Sequence, residues 1–317
     1  MTTGVFILSL DTEIAWGNCW VGTFQRYARH YDGYRALIDR LVGLLETYEI
    51  PATWAIVGHL LLDQCDGQHA DVLRPHYAWF PGEWLNWDPG TMLAAAPWWY
   101  GRDVLERVRG ARVPHEIGTH TFSHIIVDDP GCGEAVFRSE LAKCVALHRE
   151  LGLPPLRSIV YPNNAIAHLP ILKEYGLTAY RGREAGWHTR APRALRRPAA
   201  LLFRALPFTP PVYDIRGGVS EGLVNLPASM VLLAYDGARR WLPDGARVAQ
   251  AGRGLRAAAE TGRLFHLYFH PYNLGSSPRM FIALEAILRE ANRWRARGQL
   301  RVATMGELAA EALEDGD

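Results

Sequence analysis

Two imidazoles and two carboxylates set the chemistry of this chain. His120 and His124 stand four residues apart in His115-Glu-Ile-Gly-Thr-His-Thr-Phe-Ser-His124, and Asp11 and Glu13 stand two apart in Ser9-Leu-Asp-Thr-Glu13. Gly118 and Thr119 break the short run ahead of the histidines, so the pair falls on a loop or a first helical turn. At i and i+4 of a helix both rings share a face and can meet one ion. Asp11 and Glu13 close the apolar run that begins at Val5. In an extended strand their spacing puts both carboxylates on one side. Two histidines, one acidic ligand and one spare carboxylate are the parts of a metal-assisted hydrolase site, in which one acid binds the cation and the other stays free as a base.

A third stretch, Phe265-His-Leu-Tyr-Phe-His-Pro-Tyr-Asn-Leu274, places His266, Tyr268 and His270 on one face of a strand. His270, at the carboxyl end against Pro271, suits a general acid with a pKa near neutrality. His266 lies deeper and reads as structural.

These residues need a scaffold that brings strand ends together. Short apolar runs at 5–10, 52–57, 116–118, 157–161, 177–180, 223–226, 264–270 and 300–304 read as strands. Helical spacing marks 34–48, 134–151, 169–175 and 281–295, with a short helix at the end. Repeated βα units imply a mostly parallel sheet with helices outside it, and the strand count favours a barrel over an open doubly wound sheet. The expectation is a deformed parallel (β/α) barrel of about seven strands, one domain over 1–317, with acids at the carboxyl end of a central strand. Two stretches interrupt the alternation and read as rim insertions, about 63–101 and 182–218. The first carries five of the eleven tryptophans: Trp79, Trp84, Trp87, Trp98 and Trp99. They could stack on sugar faces, pack the loop onto the barrel, or touch a membrane interface.

Composition narrows the function classes. The chain has 317 residues, 49% of them hydrophobic, with 34 Lys plus Arg against 33 Asp plus Glu. That balance gives no field suited to nucleic acid. No G-x-G-x-x-G follows a strand, which argues against a dinucleotide site. Cys19, Cys65, Cys132 and Cys144 form no C-x-x-C pair, so neither a disulfide framework nor a thiolate zinc site is expected. No apolar stretch reaches the roughly 18 to 20 residues of a membrane span. The early apolar run lacks a basic leader and ends at Asp11. A soluble, cytoplasmic protein is expected.

Taken together, the motifs resemble the polysaccharide deacetylase family (carbohydrate esterase family four, the NodB homology fold), in the branch that opens Ser-Leu-Asp-x-Glu-Leu-x-Trp-Gly. This chain has Ser9-Leu-Asp-Thr-Glu-Ile-Ala-Trp-Gly17, followed in family order by Thr53-Trp-Ala-Ile-Val-Gly58, the histidine motif, Tyr180-Arg-Gly182, Leu226-Pro-Ala-Ser229 and the 265–274 stretch. The resemblance implies one divalent metal, most often zinc, held by Glu13, His120 and His124, with Asp11 as general base and His270 as general acid. It also implies a departure. After Ile159-Val-Tyr-Pro162 the branch has Arg-Asn, whereas this chain has Asn163-Asn164. The missing arginine would orient the base, and Arg157, Arg181 or Arg183 could replace it in space. Tyr161 and Asn163 are candidate oxyanion donors through their backbone N–H, and Trp16 and Arg181 are candidate substrate contacts. The implied activity is removal of an N-acetyl group from an amino sugar. A nucleotide-linked or lipid-linked precursor of surface polysaccharide would fit. A hydrolase of small cyclic amides and a non-catalytic carbohydrate-binding relative are the alternatives.

Overall fold

The computed structural model describes residues 3–21, 24, 28, 30–185 and 208–315. Strand β1 (Gly4–Thr12) is buried along its whole length. It pairs in parallel with β2 (Thr53–Ile56), β9 (Leu264–Phe269) and β10 (Leu300–Val302). A continuous apolar run is what a strand covered on both faces requires. From β2 the sheet continues through β3 (Glu116–Thr119), β4 (Ser158–Ile159), β5 (Ala179–Tyr180) and β7 (Leu223–Asn225), and β6 (Val219–Ser220) lies antiparallel on its outer edge. On the other side β9 leads to β8 (Met230–Val231). The result is a curled, mostly parallel sheet, a half-barrel. The expected strands are all present. Two-residue β6 and β8 bring the described total to ten, and elements so short carry no readable period.

The two faces of β1 explain where the site forms. Phe6, Leu8 and Leu10 join the large core shared with the outer helices. Among these, α1 (Tyr34–Thr47) buries Leu37, Ile38, Leu41, Val42 and Leu45, a stripe at helical spacing. Val5 and Ile7 alternate with them and join a smaller inner core with Ala55, Val160 and Val224. That inner core is closed from below by Met305, Leu308 and Ala309 of the last helix (Met305–Glu314), whose start is fixed by a Thr304–Glu307 capping box. Two steps further along the same inward register come Ser9 and Asp11. The barrel interior therefore changes from apolar to polar at the carboxyl ends of its strands.

The remaining helices are α2 (Arg102–Arg109), α3 (Glu134–Glu150), α4 (Leu169–Glu174), α5 (Asp244–Thr261) and α6 (Pro278–Ala296), which makes the last helix α7. The sequence reading has no element at α5, because its Ala, Gly and Arg give little apolar periodicity. Residues 62–101 form an irregular insertion between β2 and α2. The second expected insertion, 182–218, lies largely outside the described residues. No described helix is long and apolar enough to cross a membrane.

Candidate active site

A polar cleft of about 360 Å³ opens at the carboxyl ends of the strands, lined by Asp11, Glu13, His120, Asn163, Arg181 and His270 among others. Glu13 and the two histidines form one cluster. Glu13 Oε2 lies 2.9 Å from His124 Nε2 and 3.3 Å from His120 Nε2. All three side chains are at most 3% exposed. The His120 Nδ1–H donates to the Val160 carbonyl at 2.7 Å, which aims Nε2 at Glu13. Tyr272 donates its hydroxyl to the other glutamate oxygen at 3.1 Å. Gly17 lies against the same carboxylate, where a Cβ would stand 1.9 Å from Oε1. That is why the turn after the acid pair carries a glycine.

Asp11 belongs to a different arrangement. Arg181, from the end of β5, grips it bidentately, with Nη1 2.5 Å from Oδ1 and Nη2 2.7 Å from Oδ2. The guanidinium is 1% exposed, lies 3.9 Å over the Tyr268 ring, and also donates to Ser9 and Asn164. Burial pushes the Asp11 carboxyl up, but the Arg181 charge and hydrogen bonds outweigh it, and the net shift is downward. Glu13 is likewise lowered: burial opposes ionisation, and His270 and His124 more than offset it. His270 Nε2 bridges the two acids, 3.4 Å from Glu13 Oε1 and 3.8 Å from Asp11 Oδ2, with its side chain 28% exposed to the cleft.

Geometry thus assembles Asp11, Glu13, His120, His124, His270, Asn163 and Arg181 around one space. It leaves out the other two candidates. Trp16 is fully buried, stacked at a tilt on His59 and donating its indole N–H to the Trp99 carbonyl, so it cannot touch a substrate. The Tyr161 side chain is buried and donates to the Ala167 carbonyl, which leaves only its backbone for the cleft. Of Arg157, Arg181 and Arg183, Arg181 is the one beside Asp11. Arg183 is exposed and pairs with Asp128, and Arg157 borders Gly306 at the opposite end of the barrel.

The polysaccharide deacetylase family model matches residues 30–180. A candidate polysaccharide deacetylase from Mycobacterium smegmatis superposes with a TM-score of 0.62 at 18% identity, covering 99% of this chain and 92% of that one. The chain is similar to the polysaccharide deacetylases, in sequence over that segment and in fold along its length. A carbohydrate esterase family four pseudoenzyme from Bacillus anthracis matches at a TM-score of 0.47 and 11% identity, over 97% of this chain and 66% of that one. No curated protein sequence matches. The segment matched by the deacetylase model contains the histidine pair, whereas Asp11, Glu13, Arg181 and His270 lie outside it.

Within this fold, two residues support the site, and the sequence reading missed one of them, Glu140. Thr121 and His124 both have positive φ, 60° and 58°, a strained backbone for side chains with a Cβ. The buried carboxylate of Glu140, on α3, holds that loop by accepting from the Phe122 and Ser123 N–H groups and from the Ser123 hydroxyl. Burial raises its pKa above the usual range despite those donors. The signal was legible: Glu140 sits on the same helical face as Phe137, Leu141 and Cys144. His266, expected from the sequence to be structural, is the second support. Its Nδ1–H donates to the Leu226 carbonyl, and Nε2 accepts from the Ser9 hydroxyl, which in turn accepts from Arg181. His266 therefore positions the arginine that holds Asp11.

The tryptophan insertion packs on itself. Trp84 is buried edge-on to Tyr77, Phe80 and Trp87, at 4.8 to 5.5 Å. Trp99 meets Trp16 edge-on at 5.4 Å. Among the described residues no tryptophan lines the cleft. Trp79, 47% exposed, is the one of the five left strongly open to solvent.

Proposed function

We propose that this protein is a metal-dependent hydrolase that removes the N-acetyl group from an amino sugar. The observation that carries this reading is the separation of two acids within one cleft: Glu13 faces two histidines, and Asp11 faces an arginine. The three donor atoms of Glu13, His120 and His124 lie within 4.8 Å of one another. Their chemistry fits a divalent cation. The Val160 carbonyl can only accept, so the His120 ring carries a proton on Nδ1 and faces Glu13 Oε2 with Nε2. Glu13, His120 and His124 would hold such a cation through Oε2 and the ring nitrogens that face it. Two histidines and one glutamate, open on the cleft side, match catalytic zinc sites. When bound, the ion supplies Lewis acidity toward an acyl carbonyl and toward water.

The side chains do the rest. Asp11, kept ionised by Arg181, takes the proton of the attacking water. His270, on the open side of the cleft, delivers a proton to the amine nitrogen as the C–N bond breaks, and water's oxygen leaves in acetate. The turn after β4 offers backbone N–H groups to the oxyanion. Asn18, Asn163, Asn164 and Asn273 line the cleft with groups suited to sugar hydroxyls, and Arg239 stands beside them, paired with Asp236 at 3.4 Å. The amide-rich lining supports a sugar substrate, which we read as a nucleotide-linked or lipid-linked precursor of surface polysaccharide.

The test is acetate release from a panel of N-acetylated sugar nucleotides and lipid-linked amino sugars, with and without added zinc. Zinc-dependent acetate release is expected. Turnover of small cyclic amides alone would move the substrate class, and bound metal with no turnover on either panel would make the protein a carbohydrate binder.

A further inference from the structure

A second group of donors lies on the rim, outside the cleft. His59 Nε2 is 3.0 Å from Asp88 Oδ2, His69 Nε2 is 2.6 Å from the same oxygen, and Cys65 Sγ is 3.2 Å from it and 3.5 Å from His59 Nε2. All four donor atoms lie within 4.8 Å of one another. The His59 and Asp88 side chains are fully buried and that of His69 is 4% exposed. We propose that His59, Cys65, His69 and Asp88 bind a zinc ion in a closed, structural site that fastens the 62–101 insertion to the barrel.

Three observations carry this. The first is the proton count. His59 Nδ1 lies 3.1 Å from the Trp99 carbonyl, which commits its proton there. The neutral ring therefore aims a lone pair at a buried carboxylate, a repulsion that a cation converts into two bonds, and the carbonyl contact is the usual orienting partner of a metal-bound histidine. The second is distance. Tetrahedral zinc with ordinary bond lengths separates its N, O and S ligands by about 3.3 to 3.6 Å. The 3.2 and 3.5 Å contacts of Cys65 fall close to that range, and the His59–Asp88 and His69–Asp88 contacts, at 3.0 and 2.6 Å, would open by several tenths of an ångström on binding. The third is construction. Gly67 and Gly90 both have positive φ and approach so closely that a Cβ on Gly67 would stand 3.2 Å from the Gly90 Cα. Cys65 N–H bonds the Thr91 carbonyl, and the Gly90 N–H bonds Asp88 Oδ1. The backbone is shaped to bring Cys65 and Asp88 together.

One ligand belongs to the barrel and three to the insertion. His59 follows β2 and its N–H bonds the Phe122 carbonyl, within the loop that carries His120 and His124. Binding displaces the Cys65 thiol proton.

Metal content measured on the whole chain, purified under reducing conditions, tests the proposal. The parent should bind two equivalents of zinc, and Cys65→Ser and Asp88→Asn should each bind one. His124→Ala should also bind one, but from the other cluster, so failure of the rim site and failure of the cleft site read differently. Cobalt added to chelator-stripped parent needs no variant: it should give thiolate-to-cobalt charge-transfer absorption, retained in His124→Ala and lost in Cys65→Ser. Absence of that absorption in the parent, or equal zinc content in parent and Cys65→Ser, overturns the site and leaves the cluster a hydrogen-bond network.

Discussion

The cleft cluster and the rim cluster set nearly the same groups in two different surroundings. Each has two histidines and a carboxylate, and in each one ring is oriented by a backbone carbonyl, Val160 for His120 and Trp99 for His59. They differ in what completes them. Glu13, His120 and His124 face a cleft that also holds His270 and Asp11. His59, His69 and Asp88 are joined instead by a thiol and closed over by Tyr100, whose hydroxyl lies 3.1 Å from Cys65 Sγ. An open fourth position admits substrate, whereas a filled one admits nothing. Proximity of ligands therefore does not distinguish a catalytic from a structural site; the presence of an unoccupied side, with a base and an acid beside it, does.

Breaking the open cluster should have the largest effect. Asp11→Asn is expected to keep the full metal content and lose acetate release by about 10²- to 10⁴-fold, the range of a removed general base. Glu13→Ala should lose one metal equivalent together with activity. Elemental analysis beside an acetate assay checks both, and an Asp11→Asn variant short of one equivalent would show that the two acids have exchanged roles.

Arg181 sharpens the comparison next. Because its charge holds Asp11 ionised, Arg181→Met should raise the Asp11 pKa and move the acid limb of the pH–rate profile to higher pH, with Arg181→Lys intermediate. Asn163→Arg should lower the rate without moving that limb to lower pH, since the position it would fill is taken. A downward shift in Asn163→Arg would mean that Arg181 does not do this work.

The loop between the clusters comes third. Glu140→Ala strips the Phe122 and Ser123 N–H groups of their acceptor and should cost about 1 to 3 kcal/mol of stability, together with cleft metal affinity. Glu140→Gln retains an acceptor and should recover part of both. Urea denaturation with metal titration separates the effects. Cys65→Ser should instead lower the melting temperature by several degrees while leaving most turnover intact, because no rim ligand lines the cleft.

The last effect concerns acid and leaves turnover near neutral pH aside. Burial holds His266 down to about 3. Between its ordinary pKa near 6.5 and that value the unfolded chain binds a proton that the folded chain does not, so stability falls as pH drops through this window, by on the order of a few kcal/mol. His266→Gln should flatten the loss of urea midpoint between pH 7 and pH 4.5. An unchanged slope would place the acid sensitivity elsewhere.

Much of this was legible in the sequence alone. An unbroken apolar run ending in Asp-x-Glu is a central parallel strand presenting acids at its carboxyl end, and His-x-x-x-His after a strand end is the complementary pair. Local periodicity also marks α1, α3 and α6, because their buried faces repeat every turn. Tertiary structure decided what depends on distance between remote residues. Only the curl of the sheet brings Arg181 onto Asp11, 170 positions away. Only packing shows that Trp16 is buried and that the insertion's tryptophans face one another rather than the cleft. Cys65 has no partner in any local pattern, since its neighbours in space are a histidine after β2 and an aspartate 23 residues later. Spacing along the chain encodes what one element presents; which elements meet is settled by the burial of all of them at once.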